Sequence, residues 1–170
     1  MRSVEALVER RAGGMLALGF RLEGELSRLR IPPRRAPRVG TELWRHTCFE
    51  AFVALEDLAK YHELNFAPSG EWALYAFRAY RERDARTGEM PAPPIEVRAS
   101  ATRFELDTEV ELGRLSPIYP RRVLRLGLSA VVEASDGTLS YWALDHAAAT
   151  PDFHDRRSFV LRLEPPVAQC

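Results

Sequence analysis

Apolar residues recur at every second position along most of this chain, and that period decides what it can fold into. Leu16, Leu18, Phe20 and Leu22 alternate with small or charged residues, so an extended strand puts the apolar set on one face and the rest on the other. The same period runs through Phe104, Leu106, Thr108, Val110 and Leu112, interleaved with Glu105, Asp107, Glu109 and Glu111. That strand carries an acidic face, either solvated or paired with arginines across the ladder. No stretch sustains the 3.6-residue period of a helix, which excludes an α/β fold.

Further strands are predicted over residues 4–10, before a turn at Gly13 and Gly14, and over 49–55, 61–66 and 72–77 in close succession. Others fall at 95–101, 123–134, 139–144 and 158–163, with Asp136-Gly137 giving the hairpin signal of a type I′ turn. Residues 31–41 (IPPRRAPRVGT) and 113–121 are proline-containing connections over the surface. Residues 81–94 (RERDARTGEMPAPP) are a long loop or the point where the chain crosses to another sheet. About ten short strands with regular turns predict an all-β, two-sheet antiparallel β-sandwich. The whole of residues 1–170 is expected to form one domain.

Charge narrows the partners. The 24 basic residues balance 24 acidic ones, so the basic footprint of a general nucleic-acid binder is missing. Lys60 is the sole lysine, and Arg28, Arg30, Arg34, Arg35 and Arg38 crowd one proline-containing stretch. That stretch reads as a solvated connection, with an anion clasp as the alternative. Cys48 lies in an apolar run, where its thiol is expected to be inert, and Cys170 is the last residue, so no bridge between them is expected and a reducing compartment fits. Arg2, Glu5, Glu9, Arg10 and Arg11 interrupt any signal-peptide core, and no segment approaches the roughly 20 apolar residues of a membrane span. The expectation is a cytoplasmic protein with no membrane partner.

Common cofactor and catalytic fingerprints are absent: there is no phosphate loop, G-x-G-x-x-G, H-E-x-x-H, paired C-x-x-C or G-x-S-x-G elbow. His46 and Cys48 share a strand face and could join a zinc site with His62, His146 or Asp152, although a lone His-x-Cys more often packs or hydrogen-bonds. His146 and His154 lie in DHAAATPDFHD beside Asp145, Asp152 and Asp155; such a loop either binds a ligand or is stapled by its own hydrogen bonds. More telling are polar residues inside the close strands. Glu50 shares a face with Cys48, Phe52 and Ala54, and Glu63 and Asn65 share one with Tyr61. A carboxylate removed from water needs a partner, which Arg98 or Arg45 could supply. With Trp44, Trp72 and Tyr75 added, acids, an amide, an arginine and aromatic rings make a sugar-binding set, the alternative being a buried structural ion pair among core aromatics.

The runs LWRHTCFEAFVAL, YHELNFAPSGEWALYAF, SATRFELDTEVEL, LRLGLSAVVEASDG, SYWALDHAAATPDFH and SFVLRL resemble, in this order, a bacterial subgroup of the DOMON-like superfamily, which includes the family 9 carbohydrate-binding modules. Its most specific parts are TCFE followed by YHELNFAPSGEW, and later SYWALDH and PDFH. The resemblance implies a jelly-roll-like sandwich that binds a sugar or haem. Sugar-binding members hold a terminal sugar between tryptophans, for which Trp44, Trp72 and Trp142 are the candidates. Haem-binding members use methionine and histidine, for which Met15 or Met90 with His146 or His154 are available. The leading expectation is a non-catalytic, cofactor-free domain for a small ligand such as a sugar or sugar-containing metabolite. Its expected site residues are Trp44, Arg45, Glu50, Glu63, Asn65, Trp72, Tyr75, Arg98, His146 and His154. A haem-binding redox module and a protein-interaction module are the alternatives.

Overall fold

A computed structural model describes residues 1–84 and 90–166. In chain order the strands are β1 (Ser3–Arg11), β2 (Met15–Glu23), β3 (Arg38–Val39), β4 (Cys48–Leu55), β5 (Tyr61–Phe66) and β6 (Glu71–Ala79). They continue with β7 (Glu82–Arg83), β8 (Ile95–Ala99), β9 (Arg103–Glu111), β10 (Leu124–Glu133), β11 (Leu139–Ala143) and β12 (Leu161–Leu163). A smaller sheet runs in the order β1-β2-β9-β8 and a larger one in the order β11-β10-β4-β5-β6-β3, with β7 on β6 and β12 on β10. All pairings are antiparallel except the short parallel contact of β3 with β6. The two-sheet sandwich follows from the period-two pattern. No helix is long and apolar enough to cross a membrane among the described residues.

The alternating apolar residues of β2 and β9 face those of β4, β5, β6 and β10. Leu16, Leu22, Phe49, Phe66, Phe104, Leu106 and Leu126 are fully buried between the sheets. Phe49 stacks between Phe20 and Phe104, at ring-centre distances of 5.0 and 5.7 Å. Offset stacking adds to the burial of such rings about 0.5–1.5 kcal/mol per pair. The segment 81–94 takes the chain from β7 in the larger sheet to β8 in the smaller, although residues 85–89 lie outside the described ones, as does Cys170. Strand β9 stops one residue early because Leu112–Leu115 turns as a short helix, and the last strand starts late because Arg156–Ser158 is a 3-10 turn capped by Asp155.

The acidic face of β9 is paired with arginines. Arg21 reaches Glu105 at 3.2 Å and Asp107 at 2.6 Å, Arg103 reaches Glu105 at 2.8 Å, and Arg98 reaches Glu105 at 2.9 Å and also binds Asp107. Arg98 therefore belongs to the outer face of the smaller sheet, not to Glu50 or Glu63. The proline-rich connection is likewise tied down, through Arg30 to Glu133, Arg38 to Glu71 and Arg34 to the Ile95 carbonyl.

At the centre of the larger sheet β4 is buried on both faces along its whole length. Strands β11 and β12 share one edge of β10: β11 pairs with Ser129 to Glu133 and β12 with Leu124 to Leu126. The intervening segment, residues 144–160, leaves that edge and returns to it, folding over the outer face on the way. Its anchor is Phe159, which packs with Phe52, Ala54, Tyr61 and Phe77 in a second apolar cluster. Gly127 permits this, since a Cβ there would stand 2.8 Å from the Phe159 ring. Replacing Gly127 with valine is expected to lower unfolding stability by about 1–3 kcal/mol, the usual cost of overpacking. Urea unfolding measures it, and an unchanged midpoint would show that Phe159 does not depend on this glycine.

Candidate functional site

The outer face of the larger sheet carries the residues that alternate away from the core. Register places Glu50 opposite Asn65 on one side and Ser129 on the other, and Glu63 opposite Phe52 and Tyr75. Between the 3-10 turn Leu43–Arg45 and the 144–160 segment this face stays open as a cleft of about 580 Å³. Glu50, Glu63, Phe52 and Val131 line it together with Trp44, Phe77, Arg81, Arg83, Tyr141, Phe153 and His154. Trp44 and Tyr141 are 42% and 45% exposed, so two aromatic rings of the lining are available to a ligand.

Glu50 and Glu63 are only 3% and 5% exposed. Ser129 Oγ donates to Glu50 Oε2 at 3.0 Å, and Asn65 Nδ2 donates to Glu63 Oε1 at 2.6 Å. The Cys48 thiol donates to the amide oxygen of Asn65 at 3.4 Å, which fixes the amide's orientation. Burial raises the pKa of Glu50 to about 8, assisted by the charge of Glu63 and opposed by the Ser129 hydrogen bond. Burial also raises that of Glu63, against the Asn65 hydrogen bond and the charges of Arg83 and Arg81. The Cys48 thiol is pushed up by its burial and the two nearby acids, which makes it an inert thiol.

His154 closes one wall. Its Nδ1 lies 2.8 Å from the Tyr61 hydroxyl, and its Nε2 lies 3.6 Å from Glu63 Oε2. Because the Tyr61 oxygen accepts the Arg81 backbone N–H at 3.0 Å, its own proton is free for Nδ1, leaving the imidazole N–H on the Glu63 side. Burial, with the charges of Arg81 and Arg83, lowers the His154 pKa to about 4. Arg81 binds Asp152 at 2.8 Å, and the Arg83 guanidinium lies 4.0 Å from the centre of the Tyr75 ring. Glu42, just before the turn that carries Trp44, and Arg81 are the two non-glycine residues with left-handed backbone among those described, at φ 51° and 55°.

The structure thus brings Trp44, Glu50, Glu63 and His154 to one cleft, with Asn65 beneath it and Tyr75 beside it under Arg83. Others of the sequence-derived set lie elsewhere. Trp72 points into the inter-sheet core at 5% exposure, because it and Tyr75 are an odd number of positions apart on β6 and face opposite ways. Arg45 is exposed and pairs with Glu42, and Arg98 is held on the other sheet. His146 is exposed and touches Phe153 at 6.1 Å between ring centres, but is not part of the lining. Met90 packs against the inter-sheet core, away from His154. His46 turns to Glu133 rather than toward Cys48, and no group of three metal-ligating side chains occurs among the described residues. Tyr141, Phe153, Arg81 and Arg83 were not anticipated; only the strand alternation of Tyr141 with Trp142 carried a sequence signal.

A larger groove of about 740 Å³ beside β3 is lined by Arg30, Arg38, His46, Glu71 and Glu133. Its charges are already matched, Arg30 and His46 to Glu133 and Arg38 to Glu71, so the outer-face cleft is the better candidate. The raised Glu50 pKa has a consequence for stability. The native state keeps a proton that the unfolded chain releases above about pH 4.5, so the contribution of Glu50 to stability falls as pH rises from there to about 8. His154 acts oppositely, its contribution being lost as pH falls from 6.5 to about 4. Glu50→Gln, which keeps an acceptor for Ser129, is expected to raise the melting temperature above pH 8 and to leave it nearly unchanged at pH 4.5. The alkaline gain should amount to roughly 2–4 °C for each kcal/mol recovered. Thermal melts at the two pH values check it, and equal shifts at both would contradict a protonated Glu50.

No family model matches this chain, and no curated protein matches it in sequence. Its fold is similar to that of a candidate carbohydrate-binding protein from Bacteroides uniformis, known from a crystal structure, with a TM-score of 0.64 at 13% identity. The match covers 92% of this chain and 76% of that one, and at such identity it shows a shared sandwich fold.

Proposed function

We propose that this protein is a non-catalytic carbohydrate-binding domain of the DOMON-like type whose ligand occupies the cleft on the outer face of the larger sheet. The observation that carries this reading is the pairing of two buried carboxyl groups on the cleft floor with exposed aromatic rings at its margin. A sugar offers hydroxyls to the first and a C–H face to the second. The fold shared with the Bacteroides uniformis protein and the sequence resemblance to family 9 modules support the same class. Trp44 and Tyr141 take the stacking role, Glu50 and Glu63 the hydroxyl-binding role, and Arg81, Arg83 and His154 border the ligand. The haem alternative is weaker, because His154 already faces Tyr61 and Glu63 through its two nitrogens and Met90 is packed on the core.

A thermal-shift screen of mono- and oligosaccharides tests the reading, since a ligand of the native state raises stability in proportion to the logarithm of its saturation. Once a binding sugar is found, Trp44→Ala and Tyr141→Ala are each expected to weaken it about three- to tenfold. Glu63→Gln should weaken it roughly tenfold, through replacement of a carboxyl oxygen acceptor by an amide donor. Because Trp72 is buried in the core and Trp142 packs against the core outside the cleft lining, quenching of tryptophan fluorescence by the sugar should largely disappear in Trp44→Phe. A screen in which no saccharide stabilises the protein would overturn the proposal.

A further inference from the structure

The charge arrangement around the cleft is unusual for a chain so rich in arginine. Among the described residues the buried carboxyls are Glu50, Glu63 and Glu133. Glu133 is paired with Arg30 at 2.8 Å and with His46 at 2.7 Å. Among the described residues, Glu50 and Glu63 form no ion pair with an arginine or lysine and are held only by Ser129, Asn65 and the edge of His154, with the charges of Arg81 and Arg83 acting on Glu63 from a distance. Cations are not lacking nearby, because Arg81 and Arg83 line the same cleft. Both are held off the floor, Arg81 by Asp152 and Tyr80 and Arg83 by stacking over Tyr75. A pair of buried carboxyls left without a cation, at the bottom of an open and aromatic-walled cleft, has the form of a site whose cation arrives with the ligand.

We propose that the ligand is a sugar bearing a free amino group, bound as its ammonium ion between Glu50 and Glu63, with Trp44 and Tyr141 against its ring. The inference rests on the carbohydrate-binding reading and specifies the ligand class. An ammonium group has three donors and no acceptor, which matches two carboxylate acceptors whose remaining contacts are single hydrogen bonds. The neighbouring aromatic faces favour a cation further.

Binding is coupled to proton release. Near neutral pH Glu50 keeps its proton; when the ammonium enters, that proton passes to solvent and the carboxylate pairs with the ligand. The other groups facing the pair are Cys48 on β4, Tyr61 on β5, Tyr75 on β6, Arg83 on β7, and Arg81, Asp152 and His154 at the cleft wall. Cys48, Tyr61 and Tyr75 are raised, Asp152 is lowered and His154 is lowered to about 4. The exchanged proton near neutral pH therefore belongs to the acid pair. A neutral sugar, by contrast, would use the Glu50 proton as a hydrogen-bond donor and would release none.

Calorimetric titration of the full chain at pH 7, in buffers of different ionisation enthalpy, tests this with glucosamine and galactosamine against their parent and N-acetylated sugars, and with cyclohexylamine. The amino sugar of one pair is expected to bind at least about tenfold more tightly than its neutral counterparts, the worth of one charge-assisted hydrogen bond. It should release close to one proton, where the neutral sugars release none. Glu63→Gln and Glu50→Gln should each bring the amino sugar to within about twofold of the parent sugar, with melting curves confirming that the variants are folded. Neutral sugars binding as tightly as the amino sugars would overturn the inference and leave the carbohydrate reading standing. Cyclohexylamine binding as tightly as the amino sugars would overturn the carbohydrate reading and keep the ammonium site. Binding by none of the probes would overturn both.

Discussion

Strand β10 has one edge to offer beyond its pairing with β4, and β11 and β12 divide it between them. The residues joining these two strands must depart from the sheet and come back to the same edge, and the shortest covered route lies over the outer face. Gly127, between the two paired stretches of β10, gives Phe159 room to sit on the strand itself. From that anchor the segment presents His154, Phe153 and Pro151 along one side of the face, while the turn at Leu43–Arg45 covers another. The cleft is the part of the face that neither covers.

Keeping two carboxyl groups there is unfavourable by itself, since each loses hydration and gains little more than one hydrogen bond. Protonation of Glu50 removes most of the mutual repulsion and leaves a pair that can donate as well as accept. An arginine at the position of Ser129 would satisfy the acids more fully and would also fill the cleft. The arrangement seen leaves the floor incompletely satisfied while the smaller sheet pairs Glu105 and Asp107 across the ladder with Arg21 and Arg98, and Glu105 along its own strand with Arg103. The contrast between the two outer faces is what the proposed ligand site on the larger sheet rests on.

Much of this was legible in the sequence because strand period is a local property. The β5 boundaries, the Asp136-Gly137 hairpin and the sheet faces that Glu50 and Glu63 share with their strand neighbours follow from alternation and turn chemistry alone, whereas the burial of the two acids depends on what covers that face. Membership of a sheet is not local. Arg98 looked like a partner for Glu63, and only the pairing of β8 with β9 reveals nearer acids. Trp72 is a different case: it lies three residues from Tyr75 on β6, so the alternation that sets Tyr75 on the outer face sets Trp72 in the core. Strands β3 and β7, two residues each, carry no period at all. Phe153 and Pro151 reach the cleft through the path of an irregular segment, which no periodic signal describes.

The left-handed backbone at Glu42 and Arg81 bears on how firmly the cleft is formed. Such a conformation in a residue with a side chain costs of order 1 kcal/mol or more and persists where its surroundings fix it. Glu42 leads into the turn that carries Trp44, and Arg81 sends its backbone N–H to Tyr61 and its guanidinium to Asp152. Both sit where the chain must change direction at the rim, Arg81 held by Tyr61 and Asp152 and Glu42 by the side chain and backbone of Arg45 in its own turn. Aromatic wall and acidic floor are therefore set before any ligand arrives, and the ordering cost of binding falls mainly on the ligand. For the sugar ring proposed as ligand, which is small and rigid, that cost is low, and a few directed contacts to a preformed floor go further than they would for a flexible chain.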